Sequence, residues 1–343
     1  MTTGVAAAIS AVEYYLPQNV LSNAQLSSEF PEWSVEKIDA KTGIRQRHIA
    51  AENECSSDLA VEAAKKLFRT GACEPEQIDY VLFCTQSPDY FLPTSACLIQ
   101  TRLGIPQSAG ALDYNLGCSG FVVGLGLAKG LIETGQATNV LLLTGETYSK
   151  FIHARDRSAR TIFGDAAAAT LVSAVETGLD QLIGPFIYGT DGAGAEHLIV
   201  PAGGMRHPRT PETAMEFEDQ SGNVRSRDHL SMSGAEIFNF TLRTIPKCVN
   251  DLLERAHLPL EAVDLFVFHQ ANEYMLEHLR KRLKIPPEKF LVAMGHCGNT
   301  VSSTIPIALR EAREDGLLKS GHLVILVGFG VGYSWAATLL RWV

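Results

Sequence analysis

The sequence predicts an α/β fold made of two copies of one strand-helix unit, and three observations lead there. Apolar strand signals alternate with helical stretches along the chain: DYVLFCTQ from Asp79, NVLLLTGE from Asn139, VDLFVFHQ from Val263 and HLVILVGFG from His322. The runs VLLLT and LVILV are continuously apolar where a half-exposed strand would alternate, so helices must cover both faces of each sheet. Finally, the stretch from Glu74 that ends in RLGIP lies element by element over the stretch from Pro259 that ends in RLKIP. The match continues, with LDYNLGCSG answering LVAMGHCGNT, each opening a helix that leads to an apolar strand.

Taken in order, MTTGVAAAISAVEYYLP has no basic leader and is interrupted by Glu13, so it reads as a first strand and not a signal peptide. The repeat divides the chain into halves at 1–178 and 179–343. Residues 183–228 are rich in Gly, Pro and charge and read as an inserted loop region, a kind of segment that often carries binding function. A chain of 343 residues can hold two cores or one large one. With 46% hydrophobic and 20% charged residues and no low-complexity tract, it is a globular chain.

The formal net charge of -9 argues against nucleic acid as the ligand. No apolar run reaches the ~18 residues of a membrane span. The seven cysteines include no C-x-x-C pair, which leaves no zinc or disulfide framework and points to a reducing, cytoplasmic setting. There is no dinucleotide-binding G-x-G-x-x-G register, P-loop, H-E-x-x-H or G-x-S-x-G element.

Cys118 opens the helix CSGFVVGLGLAKG, which is too apolar to face water. A helix N-terminus favours a thiolate, and Gly117 and Gly120 are expected to clear the approach to its sulfur. An arbitrary cysteine is more often a small buried hydrophobe; this context favours a nucleophile. His269 ends the strand LFVFH, where open α/β sheets place ligands. Asn299, in GHCGNTVSS, reads equally as a turn residue or helix cap, but the repeat puts it at nearly the same place in its half as Cys118. A thiolate can accept an acyl group as a thioester, and an imidazole and a carboxamide can donate to the oxygen of a malonyl-derived enolate. Backbone N–H groups at Cys118 and in GFGVGYSW would supply an oxyanion hole. The basic cluster HLRKRLK, with Arg280 and Lys281, reads as a solvated helix face or as a landing site for an acidic partner.

With these marks in place, the chain resembles the beta-ketoacyl-acyl carrier protein synthase III family of thiolase-like condensing enzymes. The resemblance rests on KTGIRQRHI from Lys41, NLGCSGF, RTIFGDAAAATLV from Arg160, HQAN at His269, GNTVSSTIPIAL from Gly298 and GFGVGYSWAATLLRW near the end. It implies a five-layered αβαβα fold, a homodimer, and a decarboxylative Claisen condensation. An acyl-CoA loads the cysteine, and malonyl-acyl carrier protein then extends it by two carbons, with thioesters as substrates and no cofactor or metal.

The resemblance makes Cys118 the nucleophile, His269 and Asn299 the decarboxylation pair, and Phe329 a neighbour of the cysteine. It puts the second oxyanion donor at the Val331 amide, coenzyme A contacts at Arg157 and Lys41, and a carrier-protein contact at Lys281 beside Arg280. Departures from the family pattern are Lys37 where a tryptophan stacks on adenine, Lys41 for arginine, Tyr274 and Asn239 for basic residues, and Gly-Val-Gly for three glycines. Leu92 stands where an aromatic often crosses the dimer into the acyl pocket. Lysine supplies neither a stacking plane nor a fork, so altered donor binding is expected. The alternatives are an acyltransferase that never decarboxylates, or a specialised ketosynthase outside housekeeping fatty acid synthesis. A non-catalytic acyl-chain binder stands further off, because both Cys118 and His269 are present.

Overall fold

A computed structural model describes residues 4–178 and 181–343. Two sheets dominate. The first has the order Gly4–Tyr15, Ala166–Thr177, Asn139–Glu146, Tyr80–Cys84, Gly110–Tyr114; its first two junctions are antiparallel and its last two parallel. The second runs Ile183–Thr190, Ser334–Arg341, Leu323–Gly330, Leu265–Phe268, again with two antiparallel junctions followed by a parallel one. A parallel bridge from Phe266 to Phe290 stands where the first sheet has its fifth strand.

Strand alternation builds the layers. Val140 and Leu142 face one core together with Phe121, Leu125, Ile305 and Leu309. Leu141 and Leu143 face another, formed with Leu59, Leu67 and Ile99. In the second sheet Val324 and Leu326 join the first of these cores, while Ile325 and Val327 turn to Val249, Leu252 and Leu276. The helices Gly120–Glu133 and Thr304–Glu314 therefore lie between the sheets. Ser56–Arg69 and Ser95–Leu103 cover the outside of one sheet, and Gly234–Ala256 and Glu273–Leu283 the outside of the other. This is the αβαβα layering expected from continuously apolar strands.

One part of the expected insertion is corrected. Ile183–Thr190 is a sheet strand, hidden in the sequence by its Gly-Pro pair, which an edge position tolerates. The irregular region begins only after it, with short pairings such as Leu198–Ile199 with Ser231–Met232. The boundary expected between 178 and 179 falls where residue 179 lies outside the described residues, as do residues 1–3 of the first strand segment. Among the described residues no helix is long and apolar enough to cross a membrane.

Candidate active site

A cavity of about 90 Å³ between the central helix ends brings together Cys118, His269, Asn299 and Phe329, with Gly330 and Met275 among its walls. Each arrives by a different local device. Cys118 sits in the turn between the strand Gly110–Tyr114 and the helix Gly120–Glu133. His269 follows the strand Leu265–Phe268 and is fixed by its N–H to the Val327 carbonyl at 2.8 Å. Asn299 precedes the turn Val301–Ser303 and the helix Thr304–Glu314. Its backbone is clamped by residues of the TIFGD stretch, with Asn299 N–H to Ile162 O at 2.9 Å and Gly164 N–H to Asn299 O at 3.0 Å.

Side-chain orientation is equally specified. The Asn299 Oδ1 accepts from the Val301 N–H at 2.9 Å, which leaves the amide NH₂ as the end available to a ligand beyond its 3.4 Å contact with Ala271 O. Val301 holds a left-handed φ of 57° to make that bond, a conformation rare for a β-branched residue. His269 Nδ1 lies 2.8 Å from the Thr304 hydroxyl, and the Phe329 ring meets the imidazole edge-on at 5.6 Å. Burial lowers the His269 pKa to about 3, so the ring is neutral at working pH.

The thiol departs from expectation. The N–H groups of Cys118 and Val331 both face the sulfur and pull its pKa down, but complete burial outweighs them and pushes the thiol up to about 12. The sulfur thus rests as a thiol, and the acidified resting thiolate is corrected. The glycines also act differently. A Cβ at Gly117 would meet Gln86 and Val331 at 2.6 Å, and one at Gly120 would meet the Cys84 sulfur at 2.2 Å. Space at the Cys118 sulfur is kept by Gly330, where a Cβ would come within 2.9 Å.

The cavity shares Ile162, Met232 and Met275 with a larger one of about 600 Å³ that is also lined by Trp33, Lys41 and Asn223, so one cleft leads inward to Cys118. Trp33 was not among the expected residues. Lys37, which the resemblance set at the place of the stacking tryptophan, does not line this cavity, and the Lys37 and Lys41 ammonium groups lie 5.2 and 4.6 Å from the Trp33 ring centre. The clue in the sequence was the tryptophan itself, four residues upstream.

The Arg157 guanidinium is held by the Glu32 carboxylate and the Ser221 carbonyl, and Ser221 lines the larger cavity. Leu92 is 82% exposed and lines neither cavity. On the helix Glu273–Leu283, Arg280 is tied to Glu277 at 2.7 Å and to the Ile285 carbonyl at 2.9 Å, whereas Lys281 reaches outward with a 3.1 Å contact to Glu277.

Comparison with known proteins agrees with this architecture. Two family models match, 3-oxoacyl-[acyl-carrier-protein] synthase III over residues 112–195 and the C-terminal part of the same enzyme over 253–342. A beta-ketoacyl-[acyl-carrier-protein] synthase III of Caldanaerobacter subterraneus subsp. tengcongensis is 37% identical over 342 residues, spanning 100% of this chain and 99% of the relative. A crystal structure of a 3-oxoacyl-(acyl-carrier-protein) synthase III superposes with a TM-score of 0.97 at 56% identity, covering 98% of this chain and 100% of that one. The priming beta-ketosynthase of the R1128 polyketide pathway superposes with a TM-score of 0.84 at 28% identity, covering 100% and 98%. Matched over its full length in sequence and in overall fold, this chain belongs to the beta-ketoacyl-acyl carrier protein synthase III family.

Proposed function

We propose that the protein is a condensing enzyme that loads an acyl group from acyl-CoA onto Cys118 and joins it to a malonyl group carried by acyl carrier protein. The observation that carries this reading is the convergence of Cys118, His269 and Asn299 on one cavity, with two backbone N–H groups facing the sulfur. Because the sulfur rests protonated, His269 takes the proton as sulfur attacks the acyl carbonyl, and passes it to the departing coenzyme A thiolate. The Cys118 and Val331 N–H groups bind the oxyanion of the tetrahedral intermediate, each contributing about 3 kcal/mol.

In the second half-reaction the malonyl thioester loses carbon dioxide. The enolate oxygen is held by the Asn299 amide NH₂ and the imidazole, the enolate carbon attacks the Cys118 thioester, and the cysteine leaves as a thiolate that takes one proton from solvent, restoring the resting thiol, as the 3-oxoacyl product forms. These acyl and proton transfers are served by the side chains named, so the proposal includes no metal and no redox cofactor.

The same proposal places coenzyme A in the cleft by Trp33, Lys41 and Arg157, with Phe329 packing the imidazole. It puts carrier protein against Lys281, with Arg280 shaping that helix end. The halves 1–178 and 179–343 are read as the two copies that supply nucleophile and acceptor groups, in a cytoplasmic homodimer whose partner receives Leu92. The decisive test is intact-mass detection of an acyl adduct on Cys118 after mixing with acyl-CoA, followed by carbon dioxide release and a two-carbon extension on adding malonyl-acyl carrier protein. An acyl adduct without carbon dioxide would point to a plain acyltransferase instead.

A further inference from the structure

Glu146 ends the strand Asn139–Glu146 and is completely buried, yet no step above calls on it. Alternation puts it on the same face as Val140, Leu142 and Thr144, toward the central helices. There its Oε1 lies 3.0 Å from the Ser302 hydroxyl oxygen, which accepts the acid's proton when the carboxyl is neutral. Its Oε2 accepts from the Gln86 N–H at 3.0 Å and from the Ser87 hydroxyl at 3.2 Å. Two residues back along the strand, the Thr144 and Ser303 hydroxyls are 2.9 Å apart. Ser302 and Ser303 belong to the turn that follows Asn299, while the Gln86 side chain packs at Gly117, beside Cys118. A single carboxyl therefore ties the loop behind the nucleophile to the loop that carries the carboxamide.

The charge state matters as much as the contacts. Among the described residues no ion pair reaches Glu146. The titratable groups that face it are Cys84 on the neighbouring strand, Cys118, Tyr148 in the following turn and Asp165 ahead of the strand Ala166–Thr177. All are acids, and a negative charge on any one raises the others. Burial, with Asp165 adding to it, lifts the carboxyl to about 8 against the pull of Gln86, Ser302 and Ser87. Its ionisation would place an anion beside the thiol and oppose the thiolate that acyl transfer requires.

We propose that Glu146 is a positioning residue that works as the neutral acid, holding the Asn299 turn in register with the Gln86–Ser87 loop behind Cys118 and switching the site off when it ionises. This rests on the acyl-transfer reading above. The test compares wild type, Glu146→Gln and Glu146→Ala for acyl loading of Cys118 by intact mass, and for carbon dioxide release from malonyl-acyl carrier protein between pH 6 and 9.5.

In wild type, carbon dioxide release falls about tenfold per pH unit above a break near pH 8. Glu146→Gln, a neutral isostere, stays within about threefold of wild type at pH 7 and keeps its rate to pH 9, because it has no proton to lose. Glu146→Ala, which leaves the Ser302 hydroxyl and the Gln86 N–H without their partner, loses about tenfold or more in carbon dioxide release at pH 7. A wild type without the basic break, a Gln variant that shares it, or a Gln variant as impaired as Ala at pH 7 overturns the inference. If the Ala variant does not fold, the Gln profile alone decides. A wild type that takes up no acyl group on Cys118 overturns the functional reading itself, a separate outcome.

Discussion

The imidazole of His269 and the hydroxyl of Thr304 lie 2.8 Å apart, and the same hydroxyl lies 3.0 Å from the Val301 carbonyl. One hydroxyl proton cannot serve both. When it points to Val301, Nδ1 carries the ring proton and Nε2 is the free base that acyl loading needs. When it points to Nδ1, the proton moves to Nε2, the donor that an enolate needs. Thr304 can thus support either neutral tautomer without moving a heavy atom.

Thr304→Val keeps the shape and removes the hydroxyl, leaving Nδ1 buried and unpaired. A 10- to 100-fold fall in kcat, about 1–3 kcal/mol, is expected with little change in the KM for acyl-CoA. Thr304→Ser should recover to within about threefold, because serine offers the same hydroxyl. Steady-state kinetics of the two variants against wild type check this.

The raised Cys118 pKa predicts sluggish alkylation of the resting enzyme. The rate with iodoacetamide at Cys118, followed by peptide mass spectrometry, should climb about tenfold per pH unit up to about pH 8, with no plateau near neutral pH, and more slowly above it once Glu146 is ionised. A plateau near neutral pH would show a resting thiolate.

Gly330→Ala tests the clearance at the sulfur. A Cβ 2.9 Å from Sγ must displace it by a few tenths of an ångström, so acyl loading should slow by about tenfold or more while the fold is kept. Gly328→Ala places its Cβ 2.6 Å from the Cys118 carbonyl oxygen, a backbone atom that cannot give, and should lower the melting temperature as well. Single-turnover loading and thermal melts separate the two.

His269 makes stability depend on pH with a definite sign. Its pKa is about 3 when folded and 6.5 for a free side chain, so between those limits the unfolded chain holds the extra proton. Its contribution is complete above about pH 6.5 and is lost as pH falls toward 3, with a slope of at most about 1.4 kcal/mol per pH unit. Denaturant unfolding of wild type and His269→Gln across this range should show wild type losing stability faster on acidification.

The parts of the fold that were legible in the sequence came from patterns with one physical reading. Continuous apolar runs at 140–144 and 323–327 required two covered faces, and both faces are covered. The strand Ile183–Thr190 was missed because Gly184 and Pro185 look like loop residues until an edge position is known. At the site, the correspondence of CSG with GNT foresaw that Cys118 and Asn299 would meet. Thr304 and Trp33 stayed hidden, since which hydroxyl reaches an imidazole and which ring lines a cleft depend on three-dimensional placement. The state of the thiol was misjudged because local sequence shows a helix N-terminus but not the depth of burial. Glu146 had a visible signal, an acid closing the apolar run VLLLTGE.

That acid also penalises a wrong alignment of its own strand. If the strand Asn139–Glu146 paired one residue out of step, every side chain would change faces and the carboxyl would be driven into the oily outer layer beside Leu141 and Leu143's present neighbours. There it would lose the Gln86 N–H and the Ser302 and Ser87 hydroxyls, and the place now held by Gly145 is closed by the Ser56 backbone and the Phe83 ring, so the slipped arrangement is disfavoured against the alignment in which the two loops interlock.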